Sequence, residues 1–181
     1  TGIPVIPKYD TESTKSLGLV QLIVSEAANP RCDVFWNNEM LGMMDLKSKG
    51  LLESYKGPGY DRMPDKFKDV DGCWTGFGAR MRIVIVNTEK CGDIDEAAAA
   101  ARFEADDLSR VAVAKPLYGT TLTHYSCLWR ELGADGLKKL HQERIDRKIN
   151  ILNGNGAVKN AVADGVCDIG WTDTDDFFVA K

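Results

Sequence analysis

Nothing in this chain announces a reaction. It has no GxSxG, no HExxH and no phosphate loop ending in Gly-Lys-Ser/Thr. Hydrolysis from a nucleophile elbow, zinc proteolysis and P-loop phosphate chemistry therefore lack their sequence signatures. No run of about 18 apolar residues occurs, so no segment has the pattern of a membrane-spanning helix. The five cysteines, Cys32, Cys73, Cys91, Cys127 and Cys167, form no CxxC pair and no Cys/His spacing suited to zinc. Cys32 and Cys167 precede Asp at strand starts and Cys127 lies inside a helix, which reads them as buried thiols acting as small apolar groups. Unpaired thiols lean toward a reducing compartment. The two histidines, His124 and His141, fall on helices with no third ligand nearby, and read as structural or solvated. A net charge of −4 argues against nucleic acid or an anionic membrane surface as partner. The chain opens on Thr1-Gly2-Ile3-Pro4, with neither an initiator Met nor a signal peptide, and this reads as a cut rather than a natural beginning.

What is present is the composition of a soluble core-forming chain. With 181 residues, 44% hydrophobic and 28% charged, it fits one large domain or two small α/β lobes. Apolar β-branched runs predict strands over 3–9, 32–36, 81–87, 111–114, 149–152 and 167–171. The first is interrupted by prolines, so it is frayed or at an edge. Helical periodicity predicts helices over 12–28, capped by Asp10 or Thr11, and from Met40 to a stop at Gly50. Further helices are predicted over 97–103, from Thr120 or Thr121 to a stop at Gly133, over 135–148, and from the Asn153-Gly154-Asn155-Gly156 turn to Ala163. Residues 55–78, rich in Gly, Pro, Asp and Lys, read as a long surface loop with short helical turns. Met40, Met43 and Met44 follow a helical face and read as core filling. Lys138, Lys139, Arg144, Arg147 and Lys148 read as a solvated helix face. Strands alternating with helices predict parallel sheets covered on both faces.

Polar groups gather where strands end. Cys32-Asp33-Val34-Phe35-Trp36 runs into Asn37-Asn38-Glu39, and Cys167-Asp168-Ile169-Gly170-Trp171 runs into Thr172-Asp173-Thr174-Asp175-Asp176. Open α/β sheets hold ligands at such ends. Gly119-Thr120-Thr121, after Lys115-Pro116-Leu117-Tyr118, places a glycine and two hydroxyls at a helix start, where free N–H groups attract anions. Helix capping by either Thr uses the same groups. Asn155-Gly156 repeats the idea, with a tight turn as the alternative. Glu39, with Asn37 and Asn38, suits a cation or ligand hydroxyls, or else the first turn of the helix it opens. Arg80 and Arg82 bracket a strand start, so one can face a carboxylate or phosphate. Asp173, Asp175 and Asp176 resemble a hard-cation site, without the glycine and distal glutamate of a calcium loop.

In order, YDTEST, CDVFWNNE, WTGFGARMRIVIVNTE, VAVAKPLYGTTLTH, NGNGAV and DIGWTDTDD resemble the periplasmic iron(III)-binding proteins and related type 2 substrate-binding proteins of ABC transporters. The resemblance implies two α/β lobes of parallel or mixed sheets closing on a ligand, no catalysis, no resident cofactor, a periplasmic location and delivery to an ABC permease. It implies lobe one over 1–81, lacking its first strand, lobe two over 82–173, and the start of a return to lobe one over 174–181. Carried over by position, Glu39 is the acidic ligand and Gly119, Thr120 and Thr121 hold a synergistic anion. Asn155, Thr172 and Arg80 add contacts, and Asn38 and Asp173 complete the ligand-binding set; Glu39, Asp173 and Asp175 are the candidate metal ligands. Iron binders of this family generally place adjacent tyrosines where this chain has Thr172-Asp173-Thr174-Asp175-Asp176 and then Phe177-Phe178. A phosphonate, phosphate-bearing or carboxylate ligand therefore rivals iron(III). The rival from another class is a cytosolic effector-sensing domain of a transcription regulator with the same fold. Loss of an inner strand would expose ladder groups that recruit another chain. The sequence thus predicts an intertwined homodimer, or else retention of a separate piece of the parent chain, read by light scattering combined with intact mass. A stable monomer of only these residues with lobe one fully ordered would contradict it.

Overall fold

The computed structural model describes residues 2–10 and 17–180, which divide into two compact units, Thr1–Ala79 and Arg80–Lys181. In the first unit, helix α1 (Leu17–Ser25) packs on helix α2 (Met40–Ser48). The closeness depends on Gly42, where a Cβ would lie 2.8 Å from Val20 Cγ2. The start of the first predicted helix, including Thr11, lies outside the described residues. Residues 55–78 form the expected loop, with 3-10 turns at Tyr60–Arg62 and Asp65–Phe67. The loop is pinned by Asp69, which is buried and accepts from Lys47 Nζ at 2.5 Å and the Cys73 N–H at 3.0 Å. The ammonium partner holds that carboxyl below its usual range.

Three expectations fail in this unit. Neither 3–9 nor 32–36 forms a strand among the described residues. Pro4 and Pro7 carry no N–H for a ladder, and Ile6 and Val34 are 96% and 85% exposed, so no neighbouring strand covers them. Trp36 packs instead edge-on to Phe77, with ring centroids 5.0 Å apart. Cys32 is exposed rather than buried; in the second unit Cys127 is likewise exposed on its helix, and of the three only Cys167 lies in the core. Met40 and Met44 face outward, and Leu46 does the packing expected of them.

The second unit runs β1 (Arg82–Val86), α3 (Thr88–Cys91), α4 (Glu96–Phe103), β2 (Val111–Ala114), α5 (Gly119–Asp146), β3 (Asn150–Leu152), α6 (Asn155–Ala163), β4 (Ile169–Asp173) and α7 (Thr174–Ala180). The sheet order is β1-β4-β2-β3. β2 pairs in parallel with β3 and β4, whereas β1 runs antiparallel to β4, so the sheet is mixed. One face buries Val111, Val113 and Ile169 against Ala99 and Phe103 of α4. The other buries Ile85, Ala112 and Ala114 against Val158 and Val162 of α6. β4 begins and ends two residues later than predicted, which brings Thr172 and Asp173 into the ladder. α5 spans both predicted helices, with one break at Gly133, whose φ of 71° suits a residue without Cβ. Arg144, expected on a solvated face, is buried with its guanidinium 5.4 Å from the centre of the Trp171 ring. α7, expected to begin a return to the first lobe, packs on α6, β1 and β4.

Gly170 sets how closely α6 approaches the sheet. A Cβ there would meet Val158 Cγ1 at 2.5 Å and the Ala112 carbonyl oxygen at 2.9 Å. Gly170→Ala should destabilise the unit by about 1–3 kcal/mol through overpacking, read as a lower unfolding midpoint by circular dichroism. Unchanged stability would contradict this packing.

Candidate functional site

The topology gathers the chemistry at one edge. β2, β3 and β4 are parallel, so their C-terminal ends share an edge, leading to the start of α5, the start of α6, and Asp173. β1 is antiparallel, so its first residues reach the same edge. The ladder places Arg82 directly opposite Asp173 and Ile83 opposite Thr172. The backbone turns sharply before each helix. Gly119 has φ 60° and Gly154 has φ 129°, conformations that L side chains rarely adopt.

Asp173, 1% exposed, lies at the centre. Its Oδ1 accepts from Arg82 Nη1 at 2.9 Å; its Oδ2 accepts from Thr120 Oγ1 at 2.5 Å and Asn155 Nδ2 at 2.8 Å. Asn155 is buried and uses both ends of its amide. Its Oδ1 accepts from Arg82 Nη1 at 2.9 Å and Thr121 Oγ1 at 3.0 Å, while its Nδ2 also donates to Thr120 Oγ1 at 2.9 Å. Arg80 lies 3.3 Å from Asp175 and 3.8 Å from Asp173. Thr172, fully buried, donates to Asp176 Oδ2 at 2.5 Å. Such charge-assisted bonds in a desolvated setting are the stronger kind.

The predicted residues divide between the units. Gly119, Thr120, Thr121, Asn155, Thr172, Asp173 and Arg80 are brought together in the second. Thr120 and Thr121 do not cap α5, whose N-cap residue is Tyr118 without a side-chain bond. Their hydroxyls turn to Asp173 and Asn155 instead. Thr172 points at Asp176 and is closed to solvent, so it braces the site from behind. Glu39 and Asn38 belong to the first unit. Glu39 is buried at the N-cap of α2, makes no side-chain cap bond, and its N–H donates to Asn37 Oδ1 at 3.1 Å; Asn38 is exposed. One oxygen each from Asp173, Asp175 and Asp176 lie within 4.8 Å of one another, a spacing that could hold a cation. Those carboxylates are already engaged by Arg82, Thr120, Asn155, Arg80 and Thr172, so a cation there must displace or reorient donors.

Arg82, outside the ligand-binding set that the resemblance implies, bridges Asn155 and Asp173. Its signal was available: a basic residue opening a strand next to an acidic strand end. Asp176, which the acidic run with Asp173 and Asp175 already marks, takes the Thr172 hydroxyl, a contact the sequence pattern does not foresee.

No family model matches the sequence, and the comparison with curated proteins finds no match. Solved structures do resemble it. Iron-bound HitA from Pseudomonas aeruginosa is 21% identical, with a TM-score of 0.78 over 91% of this chain and 53% of its own. The ferric binding protein from Campylobacter jejuni is 18% identical, with a TM-score of 0.80 over 96% of this chain and 55% of its own. The periplasmic binding protein AfuA from Actinobacillus pleuropneumoniae, with fructose-6-phosphate bound, is 19% identical, with a TM-score of 0.66 over 92% and 55%. The chain thus carries the mixed α/β fold of these proteins and spans about half their length.

Behind the cluster, His124 stacks on Trp171 with ring centroids 4.4 Å apart, and its Nδ1 is buried without a hydrogen-bond partner among the described residues. Burial, reinforced by the positive charges of Arg82 and Arg144, pushes it down from 6.5 to about 4. The folded protein therefore holds His124 neutral while the unfolded chain protonates it near its ordinary value. Stability is full above pH 6.5 and falls as pH drops toward 4, because the unfolded state binds the extra proton there. His124→Phe should flatten the loss of denaturation midpoint between pH 7 and pH 4.5. Equal pH dependence in both proteins would contradict a neutral, buried imidazole.

Proposed function

We propose that this chain is the ligand-holding part of an extracytoplasmic solute-binding protein of an ABC transporter, a binder rather than an enzyme, working in the periplasm and handing its cargo to a permease. The cargo is an oxygen-liganded solute, iron(III) or a small phosphate-, phosphonate- or carboxylate-bearing molecule. One observation carries the reading: four strand ends bring two helix N-termini, two arginines, two threonine hydroxyls, Asn155 and Asp173 to one edge. Ligands of open α/β sheets bind at that edge. The neighbours' cargo supports the choice, since HitA was solved with iron and AfuA with a sugar phosphate. Among the described residues no helix is long and apolar enough to cross a membrane.

Iron(III) is favoured by the carboxylate trio, because a hard cation prefers oxygen.

Calorimetry and thermal unfolding with iron(III) citrate, citrate alone, a sugar phosphate and inorganic phosphate test the proposal. One of these should bind saturably and stabilise the fold, by about 2.7 kcal/mol at a ligand concentration a hundredfold above Kd. Thr120→Val, which keeps the shape and removes the hydroxyl, should weaken that binding about tenfold. An iron complex should show little visible charge-transfer colour, since no tyrosine belongs to the proposed set. A panel without response, or unchanged affinity in Thr120→Val, would contradict the proposal, and a strongly coloured iron complex would contradict the ligand set.

A further inference from the structure

We propose that Asp173 is the specificity residue of this edge: its carboxylate occupies the seat that a free oxyanion would take, so the wild-type protein turns such anions away. This rests on reading the edge as the ligand site, and narrows which of the two cargo classes it accepts.

An oxyanion seat is a set of converging N–H and O–H donors with few acceptors among them. Around Asp173 the donors converge from three elements: Thr120 Oγ1 at 2.5 Å, Asn155 Nδ2 at 2.8 Å and Arg82 Nη1 at 2.9 Å, with Arg80 Nη1 at 3.8 Å. The carboxylate they surround is 1% exposed, so the seat is filled by the chain itself. Thr120 and Asn155 stand in the first turns of α5 and α6, where the helix dipoles add positive potential. Thr121 Oγ1 and Arg82 Nη1 both donate to Asn155 Oδ1, which fixes that amide with its NH₂ toward Asp173. Arg80, the other arginine of the cluster, is drawn to Asp175 at 3.3 Å.

A phosphate-like anion reaching these donors would meet a like charge at contact distance in a desolvated corner. It would also have to strip the donors from Asp173. A ligand that brings a cation, or hydroxyl groups able to donate, would instead find the carboxylate a partner. Asp173 thereby selects against the free oxyanion and in favour of a metal-bearing or hydroxyl-rich cargo.

The probe is inorganic phosphate, measured by calorimetry against the wild-type chain, Asp173→Asn, and Asp173→Asn combined with Thr120→Val. Asn keeps the shape, removes the charge and turns an acceptor into a donor. Asp173→Asn should bind phosphate at least tenfold more tightly than the wild type, and the added Thr120→Val should remove most of the gain. Circular dichroism checks that each variant is folded, and Asp173→Ala, which removes the charge without adding a donor, serves if Asn folds poorly. Equal phosphate affinity in wild type and Asp173→Asn would overturn the inference, as would a gain indifferent to Thr120→Val. The functional reading fails differently, through a wild type that answers to no cargo in the panel while Asp173→Asn still gains phosphate.

Discussion

The interaction on which the site depends is the bond set around the Asp173 carboxylate. It ties β1 to β4 through Arg82, and ties the starts of α5 and α6 to β4 through Thr120 and Asn155. A buried carboxylate without partners would be costly. With three donors within hydrogen-bond distance it instead fixes the relative positions of two helix N-termini and two strands. Breaking one partner leaves the others buried and unmatched, so the cluster acts as a unit.

The mixed sheet makes that convergence unavoidable. Parallel β2, β3 and β4 send their C-terminal ends to one edge, and the single antiparallel strand returns its N-terminal arginines to it. Gly170 lets α6 lie close on the sheet, so Asn155 comes within 2.8 Å of Asp173. The glycines at 119 and 154 bend the chain into each helix. Two residues before Asp173 on β4, the Trp171 ring carries His124 and Arg144 against it. A site preorganised on sheet and helix ends recognises charge and shape without large rearrangement.

Much of the second unit is legible in the sequence because its signals are local and consistent. β-branched runs mark β1 and β2, Asn-Gly-Asn-Gly marks the entry to α6, and Gly133 marks the break in α5. Gly119-Thr120-Thr121 and Asn155 are readable as a polar edge, but their partner is not. That the anion they surround is Asp173 of the same chain depends on the register between β1 and β4, a long-range property. The first unit is the opposite case. Its alternating apolar runs at 3–9 and 32–36 have strand composition, yet a strand exists only where another pairs with it, and none does among the described residues. Exposed Val34 and Ile6 record that missing pairing. Arg144 misleads for a related reason, since helix charge pattern alone cannot foresee an aromatic ring beneath it.

The most direct test of the account is residue-resolved NMR during titration with gallium(III) citrate, a diamagnetic stand-in for the iron(III) complex, with citrate alone as control. The account predicts saturable shifts at the amides of Gly119, Thr120 and Asn155 and at the Asn155 side-chain NH₂, larger with the metal than with citrate alone. Saturable shifts confined to other surfaces, such as the start of α4, or no shifts at all, would contradict it.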